Sequence, residues 1–154
     1  MGAVHKISEY FFEDSFSLIA LHSSLEDYAM GYTLNQHLRS KFRRAKKDLD
    51  VNQRTSFPIF NWEDKQNDNY WTLISNQGIF EEESEQLGLF ASEPSFITQY
   101  LIPEFKEVDY FIKLEQEDDN LEKSAIKSIL AIPGIVTAYA VDAENLKSKN
   151  NLIF

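Results

Sequence analysis

Val108, Tyr110, Ile112 and Leu114 alternate with Asp109, Phe111, Lys113 and Glu115, and no other stretch of the chain is patterned so strictly. Period two means a strand, because successive side chains of extended backbone point to opposite faces. The Val108 set is expected on one face of a sheet and the Asp109 set on the other. Just upstream stand Ile102, Pro103 and Glu104. Pro103 suits the first position of a single helical turn, where its missing donor is harmless, and Glu104 beside it complements the exposed amides. A proline-led turn feeding a strand sets where that strand begins, so the rest of the chain has to be arranged around it.

Going back to the start, residues 15–22 read as a first strand with apolar side chains on both faces, so as a central strand. Ser23 or Ser24, followed three residues on by Glu26 or Asp27, opens a helix expected to run to about Lys47. Leu25, Tyr28, Ala29 and Tyr32 are expected on its inward face, with Leu38, Phe42, Ala45 and Leu49 continuing the stripe. Asn35 falls inside that stripe and, if buried, needs hydrogen-bond partners, either as a tie between helix and strand or as the floor of a ligand pocket. Two aromatic stretches, residues 57–62 and 70–75, flank a loop rich in Asp and Asn and read as an antiparallel hairpin. Residues 76–94 read as a long surface connection, with 79–94 as an acidic excursion, and 95–101 as a short strand. A second helix over 121–130 turns Leu121, Ile126, Ile129 and Leu130 inward and stops at Pro133 and Gly134. Residues 135–142 form the last strand, and the tail 143–154 ends in three apolar residues that dock back.

The chain of 154 residues is expected to be one domain over 1–154, burying about 68–70% of its unfolded surface. This order of elements implies α+β architecture. The expected form is a ferredoxin-like two-layer arrangement, with a mainly antiparallel sheet, two helices on one face and an inserted hairpin.

Composition removes several chemistries. Cysteine is absent, so there is no disulfide framework and no thiolate chemistry. A net charge of −10 argues against generic nucleic-acid binding. No signal-peptide pattern and no membrane-spanning run is read in the sequence, so a cytoplasmic setting is expected. One local exception to the acidity is Arg39, Lys41, Arg43, Arg44, Lys46 and Lys47, a candidate docking patch. His5, His22 and His37 lack metal-ligand spacing, and no phosphate-binding or nucleophile-elbow motif occurs. No cofactor and no metal are expected. Trp62, Tyr70 and Trp71 could stack bases if exposed, but hairpin pairing is the plainer role. Glu104 and Asp109 are the only carboxylates whose setting invites a role, as an acid–base pair or two legs of a metal site with His22 as a conceivable base, but service to the turn and the strand end is the plainer role.

Ile102, Pro103 and Glu104, three residues, then Val108, Asp109 and Tyr110 match the signature of the IPExxxVDY family, which the chain resembles. The likeness extends to Leu34 through Leu38, to Leu73 through Asn76 and to the tail around Leu152. The resemblance implies a bacterial cytoplasmic protein and brings no assigned reaction, leaving the motif residues in structural roles. Three functions remain open at this point. They are a non-catalytic protein-interaction or regulatory domain, monomeric or homodimeric; a small-ligand-binding regulatory domain; and an enzyme using Glu104, Asp109 and His22.

Overall fold

The computed structural model describes residues 16–52, 55–82, 95–116 and 119–154. Its centre is a six-stranded sheet, antiparallel throughout, in the order β10-β1-β9-β6-β5-β2. The strands are β1 (Ser17–His22), β2 (Arg43–Arg44), β5 (Ile59–Asp64), β6 (Asn69–Ser75), β9 (Tyr110–Glu115) and β10 (Thr137–Val141). A smaller antiparallel sheet runs β3-β4-β7-β8, from Leu49–Asn52, Thr55–Phe57, Gln77–Glu82 and Ser95–Tyr100. Helix α1 (Asp27–Leu38) follows β1 and helix α2 (Asp119–Leu130) follows β9. The fold is α+β.

Both faces of the large sheet are covered, which is why β1 reads as an almost continuous apolar run. Ile19, Leu21, Leu73, Tyr110, Ile112 and Leu114 pack against Met30 and Leu34 of α1 and Ala125 and Ile129 of α2. On the far face Leu18, Ala20, Ile74 and Phe111 pack with Phe57, Ile102, Val108 and Leu152. Val108 therefore lies on the face opposite Tyr110, contrary to the alternation. It precedes the strand, and its amide closes the turn onto the Phe105 carbonyl instead of joining the ladder.

The hairpin forms as expected, with Trp62 opposite Trp71 and a loop shortened to 65–68. The ribbon then bends. β5 and β6 pair in the large sheet while their continuations β4 and β7 pair in the small one, and Pro58 and Asn76 stand at the crossing. Gly78 permits the close approach there, since a Cβ on it would lie 2.7 Å from both the Phe57 ring and the Ser56 carbonyl. So residues 76–82 are not a surface excursion; they form this crossing and β7. The remainder of the acidic stretch, 83–94, lies outside the described residues, as does His5.

Four further expectations are corrected. Helix α1 ends at Leu38 and not near Lys47, because Arg39 takes a left-handed φ of 54° and the chain returns along the sheet edge as β2. Phe42 is thereby carried into the core, its ring 5.9 Å from Trp62 and 6.3 Å from Trp71. The inward face of α1 is Met30, Gly31 and Leu34, leaving Tyr28 67% and Tyr32 64% exposed. At the helix start the N-cap residue is Glu26, whose side chain makes no capping bond; Ser23 Oγ accepts from the Leu25 amide and donates to the Gly134 carbonyl, 2.6 Å away. In α2, Ala125 and Ile129 are buried while Leu130 is exposed. Pro133 and Gly134 stop α2 as expected, Gly134 with φ 92°.

Candidate functional site

The motif residues gather at one corner around Asn76, which is fully buried. Its amide nitrogen donates to the carbonyls of Phe105 (2.9 Å) and Val108 (2.8 Å), and its amide oxygen accepts from the Ile102 amide (2.9 Å). Its backbone adds two bonds, donating to the Asp109 carbonyl and accepting from Leu101. One side chain thus holds both ends of the Pro103–Phe105 turn. Sequence reading missed it, since an Asn after a strand is the commonest of loop signals.

The motif carboxylates turn in different directions. Asp109 Oδ2 accepts from the Ser23 amide (2.9 Å), and the Asp109 amide donates to Leu21, so the residue staples the end of β1 to the start of β9. Glu104 accepts twice from Ser148, from the amide at 3.1 Å and the hydroxyl at 2.6 Å, which holds its carboxyl below the usual range. His22 meets neither; its Nε2 is 2.8 Å from the Tyr139 hydroxyl. The Tyr110 hydroxyl donates to the Leu25 carbonyl (2.5 Å), and burial, aided by the charges of Asp27, Asp109 and Glu26, pushes its pKa up to about 12. A shallow hollow of about 260 Å³ lies beside this corner, lined by Ser23, Glu26, Gln77, Asp109 and Tyr110 among others. Glu104 and His22 are not among its lining residues.

The basic residues lie at the other end of the sheet, on the turn after α1 and along edge strand β2. Asn35 builds that turn: its amide donates to the Phe42 carbonyl (3.0 Å) and accepts from the Phe42 amide and the Ser40 hydroxyl, both at 2.8 Å. Arg44 pairs with Asp48, which raises its pKa, and its guanidinium stands 5.8 Å over the Phe60 ring. Arg39, Lys41, Arg43, Lys46 and Lys47 are exposed. Tyr28 meets the same Phe60 ring edge-on at 5.8 Å, so Tyr28 and Arg44 share one ring. Trp71 is buried and Trp62 packs against the same core, which withdraws them from base stacking. Tyr70 is 37% exposed on the far face.

On that far face Lys113 is buried to 98%, with Glu115 Oε1 at 3.7 Å and the rings of Phe16 and Phe154 at 4.9 and 4.2 Å. Burial lowers its pKa, against the opposing pull of Glu115. Among the described residues no cluster of His, Asp and Glu is arranged to hold a metal, and no helix is long and apolar enough to cross a membrane. No family model, no curated protein and no solved structure matches the chain.

Proposed function

We propose that this is a non-catalytic protein-interaction or regulatory domain, cytoplasmic and of the IPExxxVDY kind, that docks an acidic protein partner on its basic edge. The observation that carries the reading is the exposure of Tyr28 and Tyr32, with Tyr28 on the same Phe60 ring that Arg44 of the basic edge covers, on a chain of net charge −10. Tyr and Arg are enriched in binding hot spots, and the local positive field would steer an acidic partner. The motif residues serve the scaffold in this reading, since Asp109 and Glu104 bond different segments of the same chain.

The scaffold is read as an enlarged ferredoxin-like arrangement. What supports this is the strand order β10-β1-β9-β6, antiparallel throughout, with a helix after β1 and another after β9; β5 and β2 would extend the β6 edge. A second reading, a small-ligand-binding regulatory domain, draws support from two adjoining cavities of the far face, one rimmed by charged residues and one with apolar walls. Enzymatic use of Glu104, Asp109 and His22 has no such support.

Retention of a partner from lysate at low salt, compared between the native chain and a Tyr28→Ser, Lys41→Glu, Lys47→Glu variant, tests the docking reading. The native chain should retain a partner that salt releases, and the variant should not. Equal retention by both, or none by either, overturns it.

A further inference from the structure

Cross-strand register writes two polar rows onto the far face of the six-stranded sheet. Arg43 pairs with Asn61, Asn61 with Thr72, and Thr72 with Lys113, giving one row across β2, β5, β6 and β9. Glu63 pairs with Tyr70, and Tyr70 with Glu115, giving a second. Directly opposed residues share a face, and the two rows are two residues apart along each strand, or roughly 7 Å.

These rows are not accounted for by the fold. Elsewhere on this face Leu18, Ala20, Ile74 and Phe111 are closed over by Phe57, Ile102, Val108 and Leu152, and the polar pair His22 and Tyr139 bond each other. Here an ammonium and a hydroxyl occupy sites where Leu or Val would pack. Thr72 is 1% exposed, and its hydroxyl has no hydrogen-bond partner. Lys113 offers three donors and meets one carboxylate at 3.7 Å and two aromatic faces, which is poor satisfaction for a buried cation. Two cavities of about 350 and 360 Å³ adjoin at Tyr70 and Glu115. The first is rimmed by Glu63, Asp64, Asp68 and one cation, Lys65; the second has Asn61 on one side and Ile59 and Phe154 as its apolar walls, Phe154 standing between it and Lys113. Each volume is in the range that small molecules fill.

We propose that this face binds a small zwitterion of the amino-acid class, α- or short ω-, with its carboxylate on the Asn61, Thr72, Lys113 row and its ammonium between Glu63 and Glu115. A bare carboxylate would be repelled by the acidic row, and a bare amine would leave Lys113 and Thr72 as they are. A ligand charged at both ends answers both rows. Phe154, half-exposed and stacked on Lys113, is the lid: the carboxylate displaces its ring and gives the ammonium hydrogen bonds in exchange for a π-face. This site is on a different part of the sheet from the tyrosines of the docking surface, so either assignment can fail alone.

Titration calorimetry on the full chain, with thermal shift in parallel, tests it. The probes are the protein α-amino acids, β-alanine and γ-aminobutyrate, against butyrate and butylamine as single-ended controls. At least one zwitterion should bind saturably. Lys113→Met and Glu115→Gln should each weaken it roughly ten- to hundredfold, the range for losing one charge-assisted hydrogen bond. Phe154→Ala should bind at least as tightly as the native chain. If Lys113→Met does not fold, Glu115→Gln and Asn61→Ala at the cavity wall decide the matter in its place. Silence from every zwitterion overturns the proposal. So does a folded Lys113→Met that binds like the native chain, or a single-ended control that binds as tightly as the zwitterion.

Discussion

Asp109 stands just before β9 and Lys113 within it, four residues apart, the first half-buried beside the fully buried Asn76 and the second buried itself. Around Asp109 the polar groups are matched by other groups of the chain: its carboxylate by the Ser23 amide, its carbonyl and the turn before it by Asn76. Around Lys113 they are not, and Thr72 beside it has no partner. Asn76 is as fully buried as Lys113 and Thr72, so burial alone does not separate scaffold from site. The count of partners does, because a matched network specifies a fold while an unmatched one raises the energy of the empty state.

The largest effect should come from the matched corner. Asn76→Leu removes one acceptor and two donated bonds and strands the buried Ile102 amide and Val108 carbonyl, while the Phe105 carbonyl keeps only the Val108 amide. It should cost about 3–5 kcal/mol in urea unfolding. A loss under about 1 kcal/mol would mean that the corner is not what holds the turn, and the comparison would collapse.

Tyr110 extends the same corner to high pH. Its folded-state pKa is raised, so between 10 and about 12 the native state keeps a proton that the unfolded state gives up. Stability is unaffected below pH 10 and falls as pH climbs to about 12, by roughly 2–3 kcal/mol for a shift of that size. Tyr110→Phe should lack this fall, so the stability gap between native chain and variant should narrow by that amount over the window.

Lys113 should behave in the opposite sense. Its folded pKa is lowered, so as pH rises toward the ordinary lysine value of 10.5 the native state sheds its proton first and stability rises. Lys113→Met should abolish that rise and stabilise the protein near pH 7 by about 1–2 kcal/mol, as apolar replacement of a buried charge often does. Destabilisation of that size instead would place Lys113 in the scaffold and erase the contrast with Asp109.

What could be read from the sequence follows from how local each signal is. The β9 alternation, the aromatic hairpin and the Pro133–Gly134 stop are short-range patterns, and the elements form where they occur. Helix α1 ends early because Asn35 reaches forward to Ser40 and Phe42, and Phe42 is drawn to Trp62 and Trp71. That is tertiary attraction overriding an unbroken helical composition. Asn76 was illegible because its side-chain partners lie 26 to 32 residues further along. Lys113 reads in the sequence only as one of the Asp109 set on one strand face; the register of four strands is what sets it beside Thr72 and in line with Asn61 and Arg43.

Glu104 offers the mildest test. It belongs to the motif, yet it is exposed, and its two bonds reach to Ser148 in the final segment. Its pKa is lowered in the fold, so whatever it contributes is present above the ordinary value of 4.5 and lost as pH falls below it. Solvent screens such a pair, and Ser148→Ala should cost only about 0.5 kcal/mol, measurable as a small drop at pH 7 that vanishes in acid. The same bonds help anchor the segment that ends in Leu152, seated in the far-face core, and Phe154, seated on Lys113. If loosening Ser148 also quickens amide exchange over residues 149–154, the motif reaches the far face through its tail. If exchange there is unchanged, Leu152 alone seats the lid, and the two regions are independent.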